Sequence, residues 1–128
     1  MMLEAFSKKI LVVDDEKDVV EILSKVLKRA NYEVASTTKG REVLELAKKF
    51  KPDLIILDIF MPDMEGSDVA ASLLESPVTV NIPVIFLTGA VITKEEEPQL
   101  RKTGKHYLMA KPVTERELLD RVREVLSS

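Results

Sequence analysis

A parallel β-sheet covered on both faces by helices is the fold class that this sequence predicts, and three observations carry the expectation. Short apolar runs alternate with longer stretches of helical period. The runs around Leu11, Ile55 and Ile85 are almost wholly apolar, as strands buried on both faces are. The length of 128 residues fits one domain with a single core, residues 1–128, so the chemistry has to be assembled within one globule.

Five strands are expected, at Lys9–Val13, Glu33–Ser36, Leu54–Leu57, Val84–Leu87 and Tyr107–Ala110, the second and fifth being the more polar and more peripheral. Between the first two, Val19, Ile22, Leu23, Val26 and Leu27 recur at helical spacing and predict a core-facing stripe. Val43, Leu44, Leu46, Ala47 and Phe50 do the same in the next crossover. A third helix is expected from Glu65 to Glu75, and Thr114 with Glu117 forms a capping-box pattern ahead of Leu118, Leu119, Val122 and Val125. The crossover between Gly89 and Gly104 offers Thr93 and Glu96 as a cap, but Pro98 follows where a helix needs an amide, so a short or kinked helix is expected. Asn31 and Tyr32 mark a tight return, and Ser76–Pro83, bracketed by Pro77 and Pro83, reads as a loop.

Composition closes several function classes. With 45% hydrophobic and 32% charged residues, and no apolar run long enough to cross a bilayer, no membrane span is expected. Residues 1–9 lack the hydrophobic region of a secretory signal, which predicts a cytoplasmic protein. The absence of cysteine excludes disulfides, thiolate zinc sites and thiol catalysis. A net charge of −3 and an aromatic content of 5% supply no basic stripe or stacking platform, so direct binding to nucleic acid is not expected. The remaining charges are spread through the helices and read as solvated faces.

Ligands of open parallel sheets bind at the carboxyl ends of strands, beside the point where strand order reverses. Asp14 and Asp15 follow the first strand, Asp58 the third, Thr88 the fourth and Lys111 the fifth, all on one edge if the sheet is parallel. Taken singly, each has an ordinary explanation: Asp15 or Asp18 can cap the first helix, and a threonine or lysine after a strand belongs to common turn chemistry. Their joint placement points elsewhere. Converging carboxylates repel one another, and a hard divalent cation is the usual way to keep them ionised. One histidine, His106, and no cysteine disfavour zinc and copper, leaving Mg²⁺, with Mn²⁺ as the substitute. Such an ion and the Lys111 ammonium can neutralise a phosphoryl group while a carboxylate attacks it; spacing alone does not choose which one.

The sequence resembles the receiver domain of two-component response regulators over nearly its whole length, from Lys9-Ile-Leu-Val-Val-Asp-Asp-Glu16 to the last helix. The most specific segment, Leu57-Asp-Ile-Phe-Met-Pro-Asp-Met-Glu-Gly66, follows the family pattern Asp-x-x-Met-Pro-x-Met-x-Gly, and Pro83-Val-Ile-Phe-Leu-Thr-Gly89 and Lys111-Pro112 occur in the expected order. The resemblance implies a flavodoxin-like, three-layer α/β/α sandwich with strand order 2-1-3-4-5. It makes Asp58 the phosphoacceptor, Asp14 and Asp15 the acidic pair that holds Mg²⁺, and Phe60 the donor of a backbone carbonyl to that ion. Thr88 and Lys111 would engage the phosphoryl group, and Lys111-Pro112 would be a cis peptide bond.

The implied phosphoryl donor is a sensor histidine kinase or a phosphotransfer protein, with small acyl phosphates as substitutes, and the implied target is a downstream protein or output domain. A phosphorylation-dependent homodimer through the last two strands and helices is open to the family but has no support in these residues. In the family an aromatic residue three before the lysine swings inward behind the threonine; here that position is Leu108, and the adjacent Tyr107 faces the other side of the strand. A smaller or differently shaped surface change is therefore expected. Phe60 and Ala90 offer no side-chain group to orient an attacking water, which predicts slow self-dephosphorylation.

Three other readings compete. A haloacid-dehalogenase-type phosphotransferase needs a second aspartate where Phe60 stands, so turnover on a phosphate ester lacks its proton carrier, and no enzyme beyond self-phosphorylation and self-dephosphorylation is expected. A flavin binder would meet an acidic edge and no glycine-rich phosphate loop. A pseudo-receiver, a binding module that keeps the fold without accepting phosphate, is the main alternative, and the complete acidic set with Lys111 argues against it. His106 reads as a surface residue near a turn, and Met61 and Met64 read as packing.

Overall fold

The computed structural model describes residues 7–59, 61–64, 66–89 and 106–127. Five strands, β1 (Lys9–Val13), β2 (Glu33–Thr37), β3 (Leu54–Asp58), β4 (Val84–Thr88) and β5 (His106–Ala110), form one sheet in the order β2-β1-β3-β4-β5. Every pairing is parallel. Four α-helices are described, α1 (Lys17–Arg29), α2 (Val43–Phe50), α3 (Gly66–Leu74) and α4 (Glu115–Ser127), with a 3₁₀ turn at Gly40–Glu42 leading into α2. The helix expected between Gly89 and Gly104 lies outside the described residues, as do Phe60, Glu65 and Ala90.

The period of two along each strand sorts the core into two layers. Ile10, Val12, Leu54, Ile56, Ile85 and Leu87 face α1 and α4, whereas Leu11, Val13, Ile55, Leu57, Val84 and Phe86 face α2 and α3. All are essentially inaccessible, which explains the unbroken apolar runs of β1, β3 and β4. Each such side chain contributes about 1.5–3 kcal/mol of transfer free energy. β2 and β5 take the sheet edges, consistent with their more polar composition. The chain crosses to opposite faces from β1 and β3, so the strand order reverses between these two central strands.

Local chemistry explains the ends. Asn31 takes the left-handed conformation at φ 72°, one that asparagine tolerates, and turns the chain from α1 into β2. Thr114 Oγ1 accepts the Glu117 amide at 3.1 Å and donates to Glu117 Oε1 at 3.0 Å, joining both members of the expected capping pair. In the loop after α3, buried Thr79 donates to the Leu73 carbonyl at 2.5 Å and so satisfies the end of that helix.

One expectation is corrected. Ile22 is not part of the α1 core stripe: it is 62% exposed, and Val20 is buried in its place together with Leu23, Val26 and Leu27. The helix is rotated so that positions 20, 23 and 27 face the sheet, a choice that apolar spacing leaves open when Val19, Val20 and Ile22 all stand in the first turns.

Candidate functional site

Strand register brings the polar strand ends together. Val13 pairs with Leu57, so Asp14 and Asp58 each stand one residue past that pair on neighbouring strands. Asp58 pairs with Leu87, which sets Thr88 next along β4, and Thr88 pairs with Ala110, so Lys111 follows on β5. The Lys111 amide donates to the Thr88 carbonyl at 2.8 Å and extends the ladder to the lysine itself. Lys111-Pro112 is a cis peptide bond.

Asp14, Asp58 and Thr88 are buried, whereas Asp15 is exposed. Lys111 Nζ lies 2.7 Å from Asp14 Oδ2, 3.7 Å from Asp58 Oδ1 and 3.8 Å from Glu16 Oε1. The Lys111 ammonium and the Asp14 carboxylate thus form a close ion pair. Burial disfavours the Lys111 charge, but contact with Asp14 and the nearby Asp58 and Glu16 outweigh it and hold the ammonium above the ordinary lysine range. The lysine is therefore a fixed positive charge at neutral pH.

Neither Asp15 nor Asp18 caps α1. The residue at the cap is Glu16, with no side-chain cap hydrogen bond, and its amide donates to Asp14 Oδ1 at 3.0 Å. Asp14 thus spends one oxygen on the helix start, while the Glu16 side chain makes no cap there. One carboxylate oxygen from each of Asp14, Asp15 and Glu16 lies within 4.8 Å of the others, a hard oxygen set suited to a divalent cation of the Mg²⁺ class.

Asp14, Asp58 and Lys111 therefore meet directly, Asp15 joins through the acidic run, and Thr88 occupies the same edge. The expected role of Phe60 falls outside the described residues. Sequence reasoning did not assign Glu16; its signal was a third acid directly after Asp15, which reads equally well as an ordinary first-turn residue. Leu108 packs with the α2/α3 layer and Tyr107 with the α1/α4 layer, so the two do face opposite sides of β5. Met61 is buried and Met64 half-buried in the α2/α3 layer, as packing residues. A largely apolar cavity of about 350 Å³, lined by Val19, Ile22, Leu23, Leu87, Pro112 and Val113, reaches Lys111.

Among the described residues, no helix is long and apolar enough to cross a membrane. In sequence the chain is 37% identical over 123 residues to the alkaline phosphatase synthesis transcriptional regulatory protein PhoP of Bacillus subtilis, covering 94% of this chain and 49% of PhoP. It thus spans about half the length of that relative. It is 29% identical to the polar-differentiation response regulator DivK of Brucella anthropi, covering 93% of this chain and 96% of DivK. In structure it matches the chemotaxis response regulator CheY4 of Vibrio cholerae with a TM-score of 0.85 at 29% identity, over 93% of this chain and 98% of CheY4. Residues 10–123 match the response regulator receiver domain family, to which this chain belongs.

Proposed function

We propose that this receiver domain takes a phosphoryl group on Asp58 and that the charge change there switches a partner-binding surface. The observation that carries the reading is the position of the Lys111 ammonium, within 4 Å of both the buried Asp14 and the buried Asp58 at the carboxyl edge of the sheet. A carboxylate oxygen of Asp58 attacks phosphorus, the bond from phosphorus to the donor's leaving atom breaks with its electron pair going to that atom, and an aspartyl phosphate remains. Lys111 supplies a point charge to a phosphoryl oxygen, and Thr88 supplies a hydroxyl hydrogen bond. Asp14, Asp15 and Asp58, with the backbone carbonyl of Phe60, would hold Mg²⁺, or Mn²⁺ in its place, which neutralises charge on the transferred group.

The proposed donor is a sensor histidine kinase or phosphotransfer protein. Exposed Ile22 and the neighbouring apolar cavity beside Lys111 support a protein that docks over α1 and the β5–α4 connection. The recipient of the signal is a downstream protein or output domain, and the proposed setting is the cytoplasm. The domain acts on its own aspartate and is not a turnover enzyme, because Phe60 stands where a recycling phosphotransferase needs an acid and base. Because neither Phe60 nor Ala90 offers a side-chain group to orient an attacking water, the phosphorylated form is long-lived, and Phe60→Asn hastens its decay; an unchanged decay would remove that argument.

Incubation with acetyl phosphate and Mg²⁺, followed by intact mass measurement, tests the reading. One added phosphoryl mass, lost in Asp58→Asn, is expected. An unmodified wild-type chain would favour the pseudo-receiver, a phosphorylation-independent binding module.

A further inference from the structure

The family pattern leaves position 63 open, yet Asp63 makes two directed contacts across more than twenty residues of sequence. Asp63 Oδ1 accepts the Gly40 amide and Oδ2 accepts the Arg41 amide, each at 3.2 Å. The site of contact is tight. Gly40 is buried, and a Cβ there would sit 3.1 Å from both Met61 Cε and Met64 Cβ, so the turn after β2 lies directly against residues 61–64. Burial disfavours the Asp63 charge, but the Arg41 and Gly40 amides and the Arg41 charge outweigh it and hold the carboxyl below its ordinary range.

The contacts continue from that turn to the acidic pocket. Thr37, the last residue of β2, joins that turn: its Oγ1 donates to Glu42 Oε1 at 2.6 Å and accepts the Lys39 amide at 3.1 Å. The carbonyl of the same Thr37 accepts the Asp14 amide at 3.4 Å. On the other side, Ile59, the residue after Asp58, donates its amide to Leu87 at 3.0 Å, and Met61 is buried in the α2/α3 layer. The chain leaving Asp58 is therefore pinned at two places, to β4 by Ile59 and to Gly40 and Arg41 by Asp63, and the turn they belong to is bonded to Thr37, whose carbonyl accepts the Asp14 amide.

We propose that Asp63 is a positioning residue for phosphoryl transfer: its carboxylate ties the segment that follows Asp58 to the turn that holds Asp14, and so fixes acceptor and acidic pair relative to each other. The inference rests on the proposed function above, and it adds a residue that never touches the phosphoryl group. Small displacements of supporting groups are amplified at such sites, because attack and charge neutralisation both depend on sub-ångström placement.

The test compares wild type, Asp63→Ala and Asp63→Asn in the full chain. Three readouts are taken: thermal melting, the ¹H–¹⁵N spectrum of the unphosphorylated protein, and acetyl phosphate-driven phosphoryl uptake across a Mg²⁺ series, all below each variant's melting range. Asp63→Ala is expected to displace the Asp14 and Asp58 amide signals and to slow uptake about ten-fold. Asp63→Asn, whose one side-chain carbonyl can accept one of the two amides, recovers part of both. A folded Asp63→Ala with wild-type Asp14 and Asp58 signals and wild-type uptake would overturn the proposal. If the alanine variant does not fold, the asparagine variant decides: a lower melting temperature with unmoved signals and rate makes Asp63 a structural staple only. If wild type itself takes no phosphoryl group, the proposed function fails, and the amide signals alone decide whether Asp63 sets the acidic pocket.

Discussion

The two ends of the sheet are built to opposite rules. At the amino end each charged group is met by a neutral one: the Lys9 amide donates to Asp53 Oδ2 at 2.8 Å, the Asp53 amide returns a bond to the Lys9 carbonyl at 2.7 Å, and the Lys9 ammonium reaches the Phe50 carbonyl and lies over the Phe50 ring. At the carboxyl end Asp14, Glu16 and Asp58 surround the ammonium of Lys111, with Asp15 close by. Both ends cap the same strands, so the core does not require the imbalance. Crowded like charges that burial makes worse are a standing strain on stability, and they are retained where chemistry uses them.

Substitutions at the two ends should therefore separate stability from phosphoryl uptake. The largest effect is expected for Lys111→Met, which leaves buried Asp14 and Asp58 without their counter-charge: about 3 kcal/mol of stability is lost in denaturant titration, together with phosphoryl uptake. Asp58→Asn relieves repulsion and is expected to raise stability by about 1 kcal/mol while abolishing uptake. A loss of stability in that variant would break the comparison. Asp53→Ala, at the amino end, is expected to lower stability by about 0.5–1 kcal/mol and leave uptake unchanged.

The smallest effect concerns pH. Because the folded-state pKa of Lys111 is raised, its stabilisation is complete below the unfolded lysine value and is lost as pH rises through the folded value. Alkaline titration of stability should thus show a decline in wild type that Lys111→Met lacks. A decline of equal size in both would assign it to other groups.

Much of this was legible in the sequence because it is local. Apolar runs of strand length fixed β1, β3 and β4, and the residue closing each run became a site residue through the regularity of parallel register. The Thr114–Glu117 cap is likewise a short-range pattern that the structure realises. Features set by packing between distant segments were not legible. Ile22 satisfied the helical spacing but lies outside the buried face, since the rotation of α1 depends on the sheet beneath it. Glu16 joins the acidic set at a turn where its amide binds Asp14 Oδ1. The Asp63 contact to Gly40 and Arg41 joins two loops that no periodicity relates.

Borohydride reduction tests most directly which carboxylate among several neighbours takes the phosphoryl group. An aspartyl phosphate is reduced to homoserine, so peptide mapping after treatment with acetyl phosphate, Mg²⁺ and borohydride reads the acceptor position. Homoserine at position 58 alone is predicted; homoserine at position 14 or 15, or at no position, would contradict it.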